Sequence, residues 1–173
     1  MIRDNNIPNL RVDNFIGRIV VASDFHVPFH DERAVQHFVD AVSERKPEYV
    51  IINGDLVDFY MLSKFSKGEG RNPLEEINMA KDILHTLHEA SPTSKIVYII
   101  GNHESRLEKY ILDNAPAVAS IVPDVFTLFE LDKYNAIGAA SITFNNNFVF
   151  KHGKLLGAKS GLSAAKEMEN SYM

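Results

Sequence analysis

The sequence predicts an α/β fold built on a parallel sheet. Two observations carry the prediction. Short apolar runs stand at Ile19-Val20-Val21-Ala22, Tyr49-Val50-Ile51-Ile52 and Ile96-Val97-Tyr98-Ile99-Ile100, the pattern of strands covered on both faces. Between them, apolar residues recur at helical spacing, so strand and helix alternate.

Each element follows in order. Residues 1–16 read as an irregular leader, and 19–22 as the first strand. Asp31 is placed to cap a helix whose apolar side is Ala34, Val35, Phe38, Val39 and Val42, with Pro47 beyond its end. The second strand is 49–52. Residues 59–72 read as loop or broken helix, interrupted by Gly68, Gly70 and Pro73. A helix is expected over 73–89, with Pro73 in its first turn and Leu74, Ile77, Ala80, Leu84 and Leu87 on one face. The third strand is 96–100, and a helix is expected over 105–112. The stretch 114–138 reads as irregular or weakly helical. Residues 141–144 and 147–151 read as a hairpin around Asn145-Asn146, and a last helix is expected over 160–169.

Bulk properties narrow the function classes. The 173 residues suit a single domain spanning 1–173. The net charge of −5 gives no footprint for wrapping nucleic acid. Without cysteine there are no disulfides and no thiolate metal sites. The polar N-terminus and the lack of a run of membrane-spanning length predict a soluble, cytoplasmic protein.

Ligands of parallel sheets gather at the carboxyl ends of the strands. The first strand ends in Ser23-Asp24-Phe25-His26, the second in Asn53-Gly54-Asp55-Leu56-Val57-Asp58, and the third in Gly101-Asn102-His103-Glu104. The hairpin adds Phe150-Lys151-His152-Gly153 at another strand end. Carboxylates, imidazoles and an amide oxygen at one sheet edge suit a divalent ion. Gly54 and Gly101 are expected to let the chain turn sharply into the site. Asp-x-His alone is common, and Gly-Asp-x-x-Asp often only caps a helix. Gly-Asn-His-Glu is rarer, with a chance of roughly one in a thousand in a chain of this length at average residue usage.

In this order the residues resemble the calcineurin-like metallophosphoesterase family. Its motifs run Asp-x-His, Gly-Asp-x-x-Asp, Gly-Asn-His-Asp/Glu, a lone His, then Gly-His-x-His. Asp24 to His26, Gly54 to Asp58, Gly101 to Glu104 and His152 match the first four, within a motif-bearing core of 17–153. The resemblance implies a four-layer α-β-β-α sandwich, two mixed sheets face to face with helices outside. It implies that Asp24 and His26 bind one metal, that Asp55 bridges two, and that Asn102 and His152 bind the second. His103 would protonate the leaving oxygen as general acid. Asp58 and Glu104 would stand behind it, Glu104 fixing the His103 tautomer. The implied cofactors are two divalent ions, Mn, Fe, Zn or Mg with manganese favoured. The implied activity is hydrolysis of a phosphomonoester or phosphodiester by water that the ions activate. The implied partner is the phosphoester substrate, with nucleic acid entering only as substrate.

Two departures qualify the resemblance. Serine/threonine phosphatases of the family carry arginines where this chain has Phe59 and Ile100. Arg106 after Gly-Asn-His-Glu, and the Ser63-Lys64-Phe65 loop, look more like phage and bacterial members. The Gly-His-x-His motif is missing, since the histidines are 26, 30, 37, 85, 88, 103 and 152. That predicts a domain lacking its C-terminal part, with the second sheet incomplete. It also leaves an alternative: an inactive metal-binding fragment that self-associates or acts through a complementing C-terminal chain. His30 either shapes its loop or fills a missing ligand position. His37 is expected in solvent and His85 with His88 on a helix surface. Lys64, Lys67 and Arg71 are expected in a solvated loop that could steer an anion.

Overall fold

The computed structural model describes residues 7–63 and 72–153. The expected helix over 160–169 and the cations Lys64, Lys67 and Arg71 lie outside the described residues. The elements are β1 (Asn9–Val12), β2 (Ile19–Ala22), α1 (Glu32–Arg45), β3 (Tyr49–Asn53), α2 (Pro73–Ala90), β4 (Lys95–Ile99), α3 (Ser105–Asn114), α4 (Val125–Leu128), β5 (Ala136–Ala139), β6 (Ser141–Phe144) and β7 (Phe148–Lys151).

The predicted parallel sheet is present, ordered β2-β3-β4-β5 with every neighbour parallel. A second, three-stranded sheet is ordered β1-β6-β7, with β1 parallel to β6 and the hairpin β6-β7 antiparallel. Two strands correct the sequence reading. The leader contains β1, and the stretch 114–138 contains α4 and ends in β5. The chain passes from β5 straight into β6 through Ala140, whose N–H donates to the Pro8 carbonyl at 2.9 Å. One residue thus separates the two sheets, which brings them face to face.

The core has two parts. On one side of the parallel sheet, Val39 and Val42 of α1 and Ile77, Ala80, Ile83, Leu84 and Leu87 of α2 pack on Val50, Ile52, Ile96 and Tyr98. Leu74, expected on that face of α2, is exposed, and Ile83 is buried instead. The helix starts are as expected: Asp31 accepts from the N–H groups of Arg33 and Ala34, and Asn72 caps α2 with Pro73 next. Between the sheets, Ile51, Val97, Ile99, Ala139, Ile142 and Phe144 form the second part. Alternate residues of the strands point to opposite faces, so Ile51 and Ile52 serve different layers. Among the described residues the layers are helix, sheet and sheet; the outer helical layer on the second sheet is not among them.

Candidate metal centre

The ligand-bearing loops begin where β2 and β3 end, and they stay hydrogen-bonded beyond the sheet. Asp24 N–H donates to the Gly54 carbonyl at 3.1 Å, His26 N–H to Asp55 at 2.9 Å, and Val27 N–H to Leu56 at 2.8 Å. The loops hold this register with left-handed backbone at Asp24 (φ 59°), His26 (φ 53°) and Asp55 (φ 54°). Such conformations at non-glycine residues cost on the order of 1–3 kcal/mol each and gather at functional sites. Gly54 also has positive φ, 81°, and a Cβ there would run into the His152 imidazole. Gly101 is needed for a different reason from the sharp turn expected. A Cβ at Gly101 would collide with the Asp55 carboxylate and backbone.

The site converges on the Asp55 carboxylate, which is 3% exposed. Its Oδ2 lies 3.3 Å from His152 Nε2, 3.8 Å from His103 Nε2 and 3.9 Å from His26 Nε2. Its Oδ1 accepts the His103 backbone N–H at 2.9 Å. Asp24, Asp55 and His152 offer ligand atoms within 4.8 Å of one another, and so do His26, Asp55 and His103. Asn102 Oδ1 joins at 3.2 Å from His152 Nε2, and Asp24 Oδ1 stands 3.7 Å from His26 Nε2. All five expected ligands therefore meet, with Asp55 common to both groups. The grouping differs from the expectation: Asp24 falls with Asp55 and His152, and His26 with Asp55 and His103. Two donors on one ion, with bonds of about 2.1 Å, sit roughly 3–3.5 Å apart. The observed spacings and the mixed oxygen and imidazole donor set fit divalent ions.

Electrostatics follow from this crowding. Hydrogen bonding to Asp55, against the effect of burial, holds His152 up to about 9, helped by the Asn53 carbonyl. Burial pushes Asp55 upward, but donation from His152 and His103 outweighs it and leaves the carboxyl lowered. Burial is the first cause that lowers His103; Asp55 opposes it, while Arg106 and His26 add to it.

The surroundings of His103 correct one expectation. Glu104 does not orient the imidazole. Its carboxylate is 1% exposed and accepts the backbone N–H groups of Asp55 (3.1 Å), Leu56 (2.9 Å), Val57 (3.3 Å) and Gly101 (2.8 Å). Glu104 thus ties the loop after β3 to the loop after β4. Burial, the largest influence, pushes its carboxyl upward. Asp58 orients the ring instead: its main-chain carbonyl accepts from His103 Nδ1 at 2.9 Å. The Asp58 carboxylate lies 3.4 Å from that nitrogen and 3.3 Å from His26 Nδ1. Arg106 was singled out only for its place after Gly-Asn-His-Glu. It donates to the Asp58 carbonyl at 2.8 Å and, with its other terminal nitrogen, to His103 Nε2 at 2.9 Å. The signal was in the spacing: Arg106 follows His103 by three, and an i→i+3 turn, Arg106 N–H to the His103 carbonyl at 3.0 Å, joins them at the start of α3. Glu76 of α2 was missed altogether; buried, it accepts the Phe59 N–H just beyond Asp58.

His30 is not in either ligand group but lines a groove together with Asp24, His26 and Asp58. His37 and His85 are exposed, and neither they nor His88 join a ligand group among the described residues.

The chain is 28% identical over 125 residues to the Gene 54 protein of Mycobacterium phage D29, covering 70% of this chain and 49% of that protein. It is 28% identical over 110 residues to the Gene 54 protein of Mycobacterium phage L5, covering 61% and 43%. The chain thus spans about half the length of the curated relatives it matches. No solved structure matches it. The family model described as calcineurin-like phosphoesterase matches residues 17–169, which include every candidate ligand described above. The chain therefore belongs to the calcineurin-like phosphoesterase family.

Proposed function

We propose that this chain hydrolyses phosphoesters at a dinuclear centre held by Asp24, His26, Asp55, Asn102 and His152. The observation that carries the reading is Asp55, one buried carboxylate shared by two groups of ligand atoms. Two ions there would activate a water and offset charge on the phosphate. The protein's own groups handle the leaving group. His103 is aimed by the Asp58 carbonyl at Nδ1, which leaves Nε2 on the side of Asp55 and Arg106. A protonated His103 repels Arg106, and a phosphate placed between them offsets that repulsion. His103 then supplies the proton to the departing oxygen as general acid, and Arg106 takes the phosphate-facing position that Phe59 and Ile100 do not fill.

The experiment is hydrolysis of nitrophenyl phosphate and bis-nitrophenyl phosphate by metal-free chain reloaded with Mn, Zn, Fe or Mg. Turnover is expected only after reloading, and the two esters separate monoesterase from diesterase activity. His103→Gln should retain its metal and lose about 10²–10⁴-fold in rate on alkyl esters. The loss should be smaller on nitrophenyl esters, whose leaving group needs no proton. Equal losses on both would remove His103 from the acid role. Tightly bound metal with no turnover of any ester would favour the rival reading, a metal-binding module.

A further inference from the structure

Beside the Asp24 and His26 end of the centre lies a groove of about 740 Å³. That is within the roughly 300–1,000 Å³ typical of small-molecule pockets. Asp24, His26, Asp31 and Asp58 are among its polar lining. Four aromatic rings also line it. Phe29, 54% exposed, stands edge to face with Tyr60 at 6.3 Å, and Phe25 packs edge-on to Phe38 at 5.8 Å. His30 also lines the groove. A ligand of this groove has a charged group for the metal end, a flat apolar face for the rings, and a polar edge for His30.

We propose that the groove holds the nucleoside of a nucleoside phosphoester, the base against Phe29 and Tyr60 and its edge hydrogen-bonded by His30. The inference rests on the phosphoester reading above and names its substrate class. Stacking on aromatic side chains is available to every base, because every base has a π-face. A phosphotyrosine ring would use the same wall but has no polar edge for His30. The volume suits one nucleoside.

The test compares two diesters with the same leaving group, thymidine 5′-nitrophenyl phosphate and methyl nitrophenyl phosphate, on the manganese-loaded full chain. The thymidine ester is expected to have a kcat/KM at least about tenfold higher. Phe29→Ala should cut that ratio about tenfold, by loss of stacking, and Phe29→Tyr should restore it. Phe148→Ala, exposed on the other sheet, is the control and should leave the ratio alone. Calorimetric binding of thymidine 5′-monophosphate gives a readout independent of turnover, and Phe29→Ala and His30→Ala should each weaken it. Equal kcat/KM for the two esters, with nucleotide binding indifferent to Phe29 and His30, overturns the groove assignment. Nucleotide binding that depends on Phe29 while neither ester turns over keeps the groove and removes the hydrolase reading. A thymidylate decamer bound no tighter than the mononucleotide supports a single nucleoside; one bound more than tenfold tighter overturns that choice and assigns the base to a strand.

Discussion

Asp55 is the residue whose loss should reach furthest. Three imidazoles stand within 3.9 Å of its Oδ2, one of them from the second sheet. Asp55→Ala is therefore expected to lower the content of both ions, whereas Asn102→Ala should weaken one. Elemental analysis after dialysis reads this directly; an Asp55→Ala protein retaining two ions would remove the bridging role. The candidate ligands were legible because each stands where an apolar run stops. The partners of His103 were less so. Glu104 is adjacent to His103 in the chain, yet helical backbone at Glu104 sends its carboxylate inward to four N–H groups. Arg106 reaches the ring because α3 brings it round one turn. Side-chain direction depends on backbone conformation, which spacing in a motif does not state.

At the scale of elements, the centre depends on how the loops after β3 and β4 are joined. Glu104 makes that joint, with Gly101 giving it room. Glu104→Ala would leave buried N–H groups at Asp55, Leu56, Val57 and Gly101 without their acceptor. At about 1–3 kcal/mol per orphaned group, with some water entering, the loss should be roughly 3–5 kcal/mol. For a chain of this size that lowers the melting temperature by roughly 10 °C. Thermal unfolding of the metal-free variant checks it, since metal stabilisation is then absent from both proteins. An unchanged melting temperature would mean that water replaces the carboxylate at no cost. Element recognition followed composition. β2, β3 and β4 are rich in Val and Ile and were evident. β5 is Ala136-Ile137-Gly138-Ala139, small residues with weak strand preference. β1, Asn9-Leu10-Arg11-Val12, does alternate polar and apolar residues, but over four positions only. It becomes a strand through its parallel pairing with β6, about 130 residues away in sequence.

At the scale of the whole molecule, the centre is shared between the two sheets. Asp24, His26, Asp55 and Asn102 follow strands of the parallel sheet, while His152 follows β7 of the other. Their relative position is fixed by the layer between the sheets. Phe144 lies in that layer at 1% exposure, with its ring 4.9 Å from Phe15, 5.0 Å from Tyr49 and 6.0 Å from Phe150. Phe150 lies on β7, two residues before His152, which follows that strand. Removing the Phe144 ring should therefore do two things. Phe144→Ala should cost about 3–5 kcal/mol in stability through loss of burial and the cavity left behind. Phe144→Leu, which keeps more volume, should fold and be the variant for metal work. A looser interface lets β7 shift against the parallel sheet, which moves His152 but leaves Asp24, His26 and Asp55 in register through the β2-β3 hydrogen bonds. In a two-phase metal titration of Phe144→Leu, the ion that relies on His152 should be weakened more than the ion held by His26 and Asp55. Equal weakening of both phases would mean that the ring supports the whole centre rather than its alignment across the sheets. A lowered melting temperature with both phases intact would mean that His152 is held by its own contacts, the Asn53 carbonyl at 2.8 Å and Asp55, and not by sheet packing.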